Sequence, residues 1–336
     1  MRLQGLDAAR FLAFCGMVLV NFRIAAQVTP IDDWPSLLTN GLEGRAAALF
    51  VVLAGIGITL ANVPPNLMLR RAAFLFVIGL ANLTIFEADI LHFYALYFVV
   101  AIPFVTAANQ WLWRGVAAIL IFSLIAQVVL DYEKGWNWDT LYYSDFWTLT
   151  GFLRHSFYNG WHPVFPWVSF LLFGMWLGRQ ELSCDKIHNR MIILGLSAAA
   201  LSLIPGWLIQ NPELIDLLNT TTLPPGPFYV LAGSGSATAV IGLILKIQPA
   251  LAQQHIDRWF TAPGRQSLTL YVAHILLGMG TLEAIGRLDG SLTPIQIFGI
   301  SLVFCIACSL YARIWNQKFK RGPLEMLMRW VTEIGR

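Results

Sequence analysis

The sequence carries little charge for its length. Of its 336 residues, 12% are Asp, Glu, Lys or Arg, about half the share in soluble domains, and 57% are hydrophobic. The mean hydropathy is +0.63. So few charged side chains cannot cover a water-facing surface, and we therefore predict a polytopic integral membrane protein. The net charge of +3 is too small to indicate nucleic-acid binding, because the membrane already accounts for where the basic residues lie.

Cysteines and familiar catalytic motifs are also scarce. Three of the four cysteines (Cys15, Cys305 and Cys308) lie in apolar runs, which argues against a disulfide framework and a zinc site. We expect no metal. The sequence has no Walker-type phosphate loop, no glycine-rich dinucleotide fingerprint, no Gly-x-Ser-x-Gly elbow and no His-Glu-x-x-His. These absences argue against the enzyme classes that depend on such motifs.

Apolar runs divide the chain into ten candidate membrane spans. Only a helix or a closed barrel satisfies its own backbone in lipid, and the two-residue alternation of barrel strands is missing. We predict an all-α, polytopic helical bundle with about ten transmembrane helices, forming a single transmembrane domain over residues 1–336. No small-residue cleavage site follows the first span, so we expect a retained helix. The predicted spans are Leu6–Ala26, Ala46–Val63, Ala72–Phe86, Ile90–Ala107, Gly115–Leu130, Val164–Gly178, Met191–Ile209, Phe228–Leu245, Ser267–Ile285 and Ile295–Trp315.

Lysine and arginine are biased to one side of these spans. With the N-terminus in the cytoplasm, 17 of the 22 basic residues are cytoplasmic. The positive-inside rule then predicts that both termini are cytoplasmic, with 316–336 as a cytoplasmic tail. It places the turn that contains Glu87, Asp89 and His92 on the outer side. We expect the chain in a bacterial cytoplasmic (inner) membrane.

One large connection, 131–162, is predicted on the outer side and is rich in aromatic residues. Its aromatic side chains could form a platform for a sugar or lipid headgroup, or they could anchor a half-buried segment at the membrane interface. A connection of this length suggests a lid or a binding loop.

Several ionisable residues are predicted at membrane depth, where they are costly. Asp89 and His92 are three residues apart, so on a helix the carboxylate can orient the imidazole; the alternative is an outward turn that meets water. Asp7 and Arg10 share the same spacing and could be a simple salt bridge. His274 lies about 14 Å beyond Arg265 along a helix, as a structural or a catalytic histidine.

Several short stretches of the sequence are similar to those of a known family. Leu6-Asp7-Ala-Ala-Arg10, Gly79 through Glu87-Ala-Asp89-Ile-Leu, Gly264-Arg265-Gln-Ser-Leu-Thr-Leu-Tyr271 and Gly322-Pro323-Leu-Glu325-Met-Leu-Met-Arg329 are similar to the YeiB-like membrane proteins, catalogued as a domain of unknown function. More distantly, Val18 to Asn21, Tyr97-Phe-Val-Val-Ala101 and Tyr271-Val-Ala-His274 are similar to heparan-alpha-glucosaminide N-acetyltransferase and its transmembrane acyltransferase group.

This resemblance implies transfer of an acyl group from cytosolic acyl-CoA (acetyl-CoA) to an extracytoplasmic glycan, lipid or small-molecule acceptor. The acetyltransferase has its catalytic histidine in the connection after the asparagine matched by Asn21, but here Thr29-Pro-Ile-Asp32-Asp33-Trp34 contains none. Either another histidine has this role or the reaction differs. The candidates for the base and its orienting acid are His92, Asp89, His162 and His274. The candidates for acceptor binding are Glu87, Asn21, Arg45 and Tyr271. The candidates for holding the phosphates of the donor are Arg10, Arg70, Arg71 and Arg265.

A proton-linked transporter or lipid flippase is the alternative function, because buried Asp, His and Arg residues could also relay protons or hold a cargo. No duplicated halves support it in the sequence. A scaffold without activity would not explain the buried charges. The expected partners are membrane lipids, cytosolic acyl-CoA and the outer acceptor, without nucleic acid. The sequence leaves the oligomeric state open, a homodimer included.

Overall fold

The computed structural model describes residues 3–209 and 211–333, and their regular secondary structure is almost entirely helical. The predicted all-α membrane fold is confirmed. Within the described residues, eight helices are long and apolar enough to cross a membrane: Gln4–Ala25, Trp34–Leu60, Pro65–Leu83, Asn109–Val129, Asp185–Leu208, Pro227–Gln253, Ser267–Ala284 and Pro294–Trp315. Two shorter apolar helices, Leu91–Phe104 and Val164–Leu177, occupy the positions of the fourth and sixth predicted spans. The total of about ten spans and the cytoplasmic termini stay predictions.

The described residues form a succession of α-helices, three of which continue into a 3₁₀ or π-helical turn. The helices are α1 (Gln4–Ala25), α2 (Trp34–Leu42), α3 (Arg45–Leu60), α4 (Pro65–Leu83), α5 (Leu91–Ala101), α6 (Asn109–Val129), α7 (Leu149–Arg154), α8 (Val164–Leu177), α9 (Asp185–Leu201), α10 (Ile204–Leu208), α11 (Pro212–Leu218), α12 (Pro227–Gln253), α13 (Arg258–Gly264), α14 (Ser267–Ala273), α15 (Gly280–Ala284), α16 (Pro294–Trp315) and α17 (Pro323–Thr332). A 3₁₀ turn, Ile102–Phe104, extends α5. Two π-helical turns, His155–Asn159 and His274–Met279, continue α7 and α14.

The connection predicted between the first two spans contains a helix. Asp33 begins α2, because its carboxylate accepts a hydrogen bond from the backbone N–H of Ser36 at 2.9 Å, and Pro35 stands in the first turn. The predicted second span, Ala46–Val63, begins one residue after α3 does. The preceding helix α2 was not predicted, although its N-cap and proline are signals in the sequence, and together α2 and α3 form the apolar region Trp34–Leu60.

The chain divides into two compact units. The first comprises Met1–Phe50, Leu182–Leu194 and Ala237–Arg336. Within it, α1 packs against α2, α13, α14 and α16. Glycine permits one close approach, since a Cβ on Gly264 would collide with the backbone carbonyl of Asp7. The predicted tail contains α17, whose Glu325 carboxylate accepts hydrogen bonds from the N–H groups of Leu268 (2.7 Å) and Thr269 (3.2 Å). Glu325 therefore caps the start of α14.

The second unit comprises Val51–Glu181 and Gly195–Ser236. In this unit α5 packs against α4 and α8, and α6 packs against α8. The second half of α3 lies directly on α8, because a Cβ on Gly55 would collide with the carbonyl of Leu171 and one on Gly174 with that of Val52. Small residues at helix contacts allow such close backbone approach in membranes. Gly79 of α4 allows the same close approach to the backbone of His92 at the start of α5.

The aromatic connection has a structure of its own. A short antiparallel hairpin pairs Trp136–Asn137 (β1) with Tyr142–Tyr143 (β2), and α7 follows. Its two-residue strands are too short to show any periodicity in the sequence. The hairpin and the segment between it and α7 place aromatic side chains beside the end of α4.

Candidate functional site

A pocket opens beside the end of α4 in the second unit. Its volume is about 270 Å³, near the lower end of the range for small-molecule sites. The end of α4 and the following turn contribute Leu83, Thr84 and Glu87. The aromatic connection contributes Tyr142, Tyr143, Phe146, Trp147 and His155. Aromatic residues of this connection therefore line a pocket.

Hydrogen bonds hold the hairpin side of this pocket in place. The Tyr143 hydroxyl donates to Asn159 Oδ1 at 2.7 Å and accepts from Arg154 Nε at 2.7 Å. Asn159 donates in turn to the carbonyls of Tyr132 and Lys134, at 2.8 and 2.9 Å. Since these groups are fixed by one another, the ring of Tyr143 is a rigid part of the wall.

Glu87 provides a carboxylate at the pocket. The side chain is partly buried, and it accepts a hydrogen bond from the backbone N–H of Tyr143. Burial raises the pKa of Glu87 above its usual value, and the hydrogen bond opposes this shift. The predicted binding residue Glu87 thus lies where it can contact a ligand.

Three histidines, of which His155 lines the pocket, form a cluster. The rings of His92 and His155 are 6.0 Å apart and nearly parallel, at 21°. Phe93 lies between His155 and His162, with ring centroids at 5.4 and 5.8 Å. His92 and His155 are buried, at 0% and 2% exposure. The two predicted candidates His92 and His162 therefore belong to one aromatic cluster, together with His155.

The ring nitrogens of this cluster have few protein partners. Among the described residues, both ring nitrogens of His92 lack a hydrogen-bond partner. The Nδ1 atoms of His155 and His162 also lack one. Burial and the neighbouring His92 lower the pKa of His162 to about 3. Burial also lowers the pKa of His155 well below its usual range, and positive charge on His92, His162 and Arg154 acts in the same direction. His155 and His162 are therefore neutral at physiological pH.

The carboxylate of Asp89 accepts a hydrogen bond from the backbone at the start of α5. Its carboxylate accepts hydrogen bonds from the N–H of Leu91 at 2.8 Å and from Nδ2 of Asn82 at 3.1 Å. It lies on the same face as His92, but Asp89 Oδ2 and His92 Nδ1 are 3.8 Å apart, beyond hydrogen-bond distance. Asp89 thus places its charge near the imidazole without binding a ring nitrogen.

A second histidine site lies in the first unit. Asn21 Nδ2 of α1 and His274 Nε2 are 3.0 Å apart, although 253 residues separate them in the chain. His274 is completely buried and begins a π-helical turn. Such turns often mark functional sites, because the extra residue reorients nearby side chains and backbone groups. The structure therefore joins the predicted residues Asn21 and His274.

The hydrogen bonds of His274 determine its tautomer. Nδ1 lies against the backbone carbonyl of Tyr271, which can only accept a hydrogen bond. Nδ1 must therefore carry the proton, and Nε2 is left as an acceptor for the amide N–H of Asn21. Phe14 and Tyr271 contact the ring, with centroids at 6.1 and 4.8 Å. His274 is therefore a neutral imidazole, and the lone pair of its Nε2 points towards Asn21.

The predicted donor-binding arginines fall into two groups. Arg10 Nη1 and Arg265 Nε lie 2.8 and 3.4 Å from the carboxylate of Asp7, which is 1% exposed. Arg10 and Arg265 thus form one cluster in the first unit. Arg70 and Arg71 lie on α4 in the second unit. Arg45 begins α3, and its Nη1 lies 3.5 Å from the carbonyl of Gly41.

Some functional candidates were not predicted from the sequence. His155 lines the pocket, but it was not among the predicted site residues. The pairing of Asn21 with His274 left no spacing signal, because it joins distant helices. In the described part of the chain, no group of three or more His, Cys, Asp or Glu residues is arranged to hold a metal ion.

Two family models match the chain. The one described as "Heparan-alpha-glucosaminide N-acetyltransferase, catalytic" matches residues 2–203. The one described as "Protein of unknown function (DUF418)" matches residues 175–335. No curated protein matches the chain at a significant level. Both resemblances predicted from the residues are therefore confirmed.

Proposed function

Because the chain belongs to the heparan-alpha-glucosaminide N-acetyltransferase catalytic family, we propose that it is a membrane-embedded acyltransferase. The donor is cytosolic acyl-CoA, with acetyl-CoA as the first candidate. The acceptor is a hydroxyl or amine on an extracytoplasmic glycan, lipid or small molecule. The membrane helices and the family match support this class of reaction.

The observation that carries the proposal is the contact between Asn21 and His274 at 3.0 Å. The connection after Asn21 lacks the histidine that the resemblance led us to expect. His274 supplies an imidazole to the same asparagine from another helix. We therefore assign His274 as the general base, rather than His92 or His162.

The geometry of His274 suits proton transfer. With Nδ1 bound to the carbonyl of Tyr271, the lone pair of Nε2 points towards Asn21. An acceptor O–H or N–H that replaces the amide of Asn21 would give its proton to Nε2 as its oxygen or nitrogen attacks the thioester carbonyl. The C–S bond then breaks, and the thiolate leaving group takes the proton back from His274. Asn21, released from Nε2, can donate to the developing oxyanion.

Arg10 and Arg265 would bind phosphate groups of the donor. Both guanidinium groups lie beside the Asp7 carboxylate, which holds them near each other. A guanidinium carries five N–H donors in a planar fork that matches the oxygens of a phosphate. Arg70 and Arg71 remain candidates for the same role from α4.

The test is transfer of label from labelled acetyl-CoA by the purified, full-length chain supplied with cell-envelope glycans. We expect label on the acceptor, and His274→Gln should reduce turnover by about 100-fold or more. His188→Gln is a matched control, because His188 is also buried and its Nε2 also contacts a backbone carbonyl, that of Leu182. It should retain wild-type turnover.

Variants of His92 and His162 test whether one of these histidines, and not His274, is the general base. Loss of turnover in His92→Gln or His162→Gln, with His274→Gln fully active, would assign the base to the histidine cluster instead. If wild-type protein neither binds nor transfers label but moves protons or lipid across vesicles, the transporter or flippase reading replaces acyl transfer.

A further inference from the structure

We propose that the pocket beside α4 is a binding site for a small organic ammonium ion, held between aromatic rings and the carboxylate of Glu87. The inference goes beyond acyl transfer, because binding of the cation needs no acyl donor. It rests on the charge, the walls and the hydrogen bonds of the pocket.

The charge of the pocket favours a cation. Among its described lining residues, Glu87 is the only carboxylic acid, none is Lys or Arg, and the buried His155 is neutral. The guanidinium of Arg154, which contacts the lining residue Tyr143, is already paired with Asp145 at 2.5 Å and with the Tyr143 hydroxyl. An anionic ligand would lie next to the carboxylate of Glu87 without a basic side chain to compensate the repulsion. A cation would restore to Glu87 the charge stabilisation that its partial burial removes.

The walls present aromatic rings in different orientations. Phe146 and Trp147 are perpendicular, at 88°, with centroids 5.0 Å apart, so they form a corner and not a stack. Tyr142 and Trp147 are exposed at the rim. Rings arranged around an acid are the known means of holding quaternary ammonium groups, because the π faces are electron-rich. The Arg154 guanidinium already lies 5.4 Å from the ring centroid of Tyr143, so this hairpin already holds a cation against an aromatic ring.

The available hydrogen bonds disfavour a sugar. The hydroxyl of Thr84 donates to the carbonyl of Ala81 at 2.7 Å, and that of Tyr143 donates to Asn159. Two of the hydroxyl donors at the wall are therefore used within the protein, whereas sugar recognition needs several free donors and acceptors. A volume of about 270 Å³ suits a fragment-sized ion.

The test compares choline with its neutral isostere, 3,3-dimethyl-1-butanol, by calorimetric titration of the purified full-length protein without acyl donor. The two probes have the same shape and differ in charge. We expect choline to bind at least about tenfold more tightly than the alcohol, which corresponds to about 1.4 kcal/mol. Equal affinities, or no binding of choline by the wild-type protein, would overturn the proposal.

Variants locate the binding site. Glu87→Gln should weaken choline binding about tenfold or more, and Trp147→Ala should weaken it several-fold. Glu283→Gln and Trp207→Ala are matched controls, since Glu283 and Trp207 are exposed and do not line the pocket. Both controls should bind choline as the wild type does. Binding unchanged by Glu87→Gln, or binding of glucose in place of choline, would contradict an ammonium site. Since no donor is present, these results are independent of acyl transfer.

Discussion

At the level of single residues, the contact of His274 Nδ1 with the carbonyl of Tyr271 determines which ring nitrogen can act as a base. The amide of Asn21 donates to Nε2 because the carbonyl of Tyr271 holds the proton on Nδ1. The sequence could identify His274 as a histidine at membrane depth. It could not identify Asn21 as its partner, because a contact between helices 253 residues apart depends on how the helices pack.

Substitutions at Asn21 test this contact. Asn21→Ala removes one hydrogen bond to His274 and should reduce turnover about tenfold, in line with a loss of about 1–1.5 kcal/mol. Asn21→Asp should reduce it further, because a carboxylate next to Nε2 favours the protonated imidazole, which cannot accept a proton. Steady-state label transfer measures both. Equal activity of Asn21→Asp and wild type would contradict the assigned tautomer.

His162 should make the folded state sensitive to acid. Burial and His92 lower the pKa of His162 to about 3 in the folded protein, whereas an unfolded histidine has a pKa of about 6.5. Above pH 6.5 both states are neutral at this site. As the pH falls, the unfolded state binds a proton that the folded state does not, so stability falls by up to about 1.4 kcal/mol per pH unit.

Replacing the histidine should remove this effect. His162→Gln should flatten the decrease in Tm between pH 6.5 and about 5, measured by thermal unfolding in detergent. His255→Asn is the control, because His255 is exposed and its replacement should leave the slope as it is. An unchanged slope in His162→Gln would mean that the imidazole is not held neutral by the fold.

At the level of elements, the glycine contact between α4 and α5 sets the position of the histidine cluster. A Cβ on Gly79 would collide with the backbone N of His92. The apolar runs predicted both helices, because the run length and the lack of water dictate helical backbone. The short hairpin and the π-helical turns were not predicted, since two residues per strand and one extra residue per turn leave no periodic pattern.

Gly79→Ala tests this contact. The added methyl group should force α4 and α5 apart and lower stability by about 1–3 kcal/mol, as overpacking of a tight contact does. Gly299→Ala in α16 is the matched control, because a Cβ there meets no atom within 4 Å. It should be neutral or slightly stabilising. Thermal unfolding measures both variants. Equal Tm values would show that the contact between α4 and α5 accommodates a methyl group without loss of stability.

At the level of the whole molecule, composition and hydropathy were enough to predict an all-helical membrane protein. The bias of Lys and Arg adds an orientation with both termini in the cytoplasm. Cysteine chemistry can test it, because Cys184 lies between α8 and α9 and is partly exposed, while Cys15, Cys305 and Cys308 lie within α1 and α16.

A membrane-impermeant maleimide should label Cys184 only after spheroplasts are opened. In a Cys184→Ser background, Ser291→Cys should be labelled in intact spheroplasts, since Ser291 is exposed in the connection predicted on the outer side. Labelling of Cys184 in intact spheroplasts would place the termini on the outer side and remove the access of cytosolic acyl-CoA to Arg10 and Arg265.

The most direct measurement is the turnover of labelled acetyl-CoA by purified wild-type, His274→Gln and His188→Gln protein. General-base catalysis by His274 predicts transfer of label by wild type and His188→Gln and a loss of about 100-fold or more in His274→Gln. Wild-type turnover in His274→Gln would contradict the role assigned to the contact between Asn21 and His274.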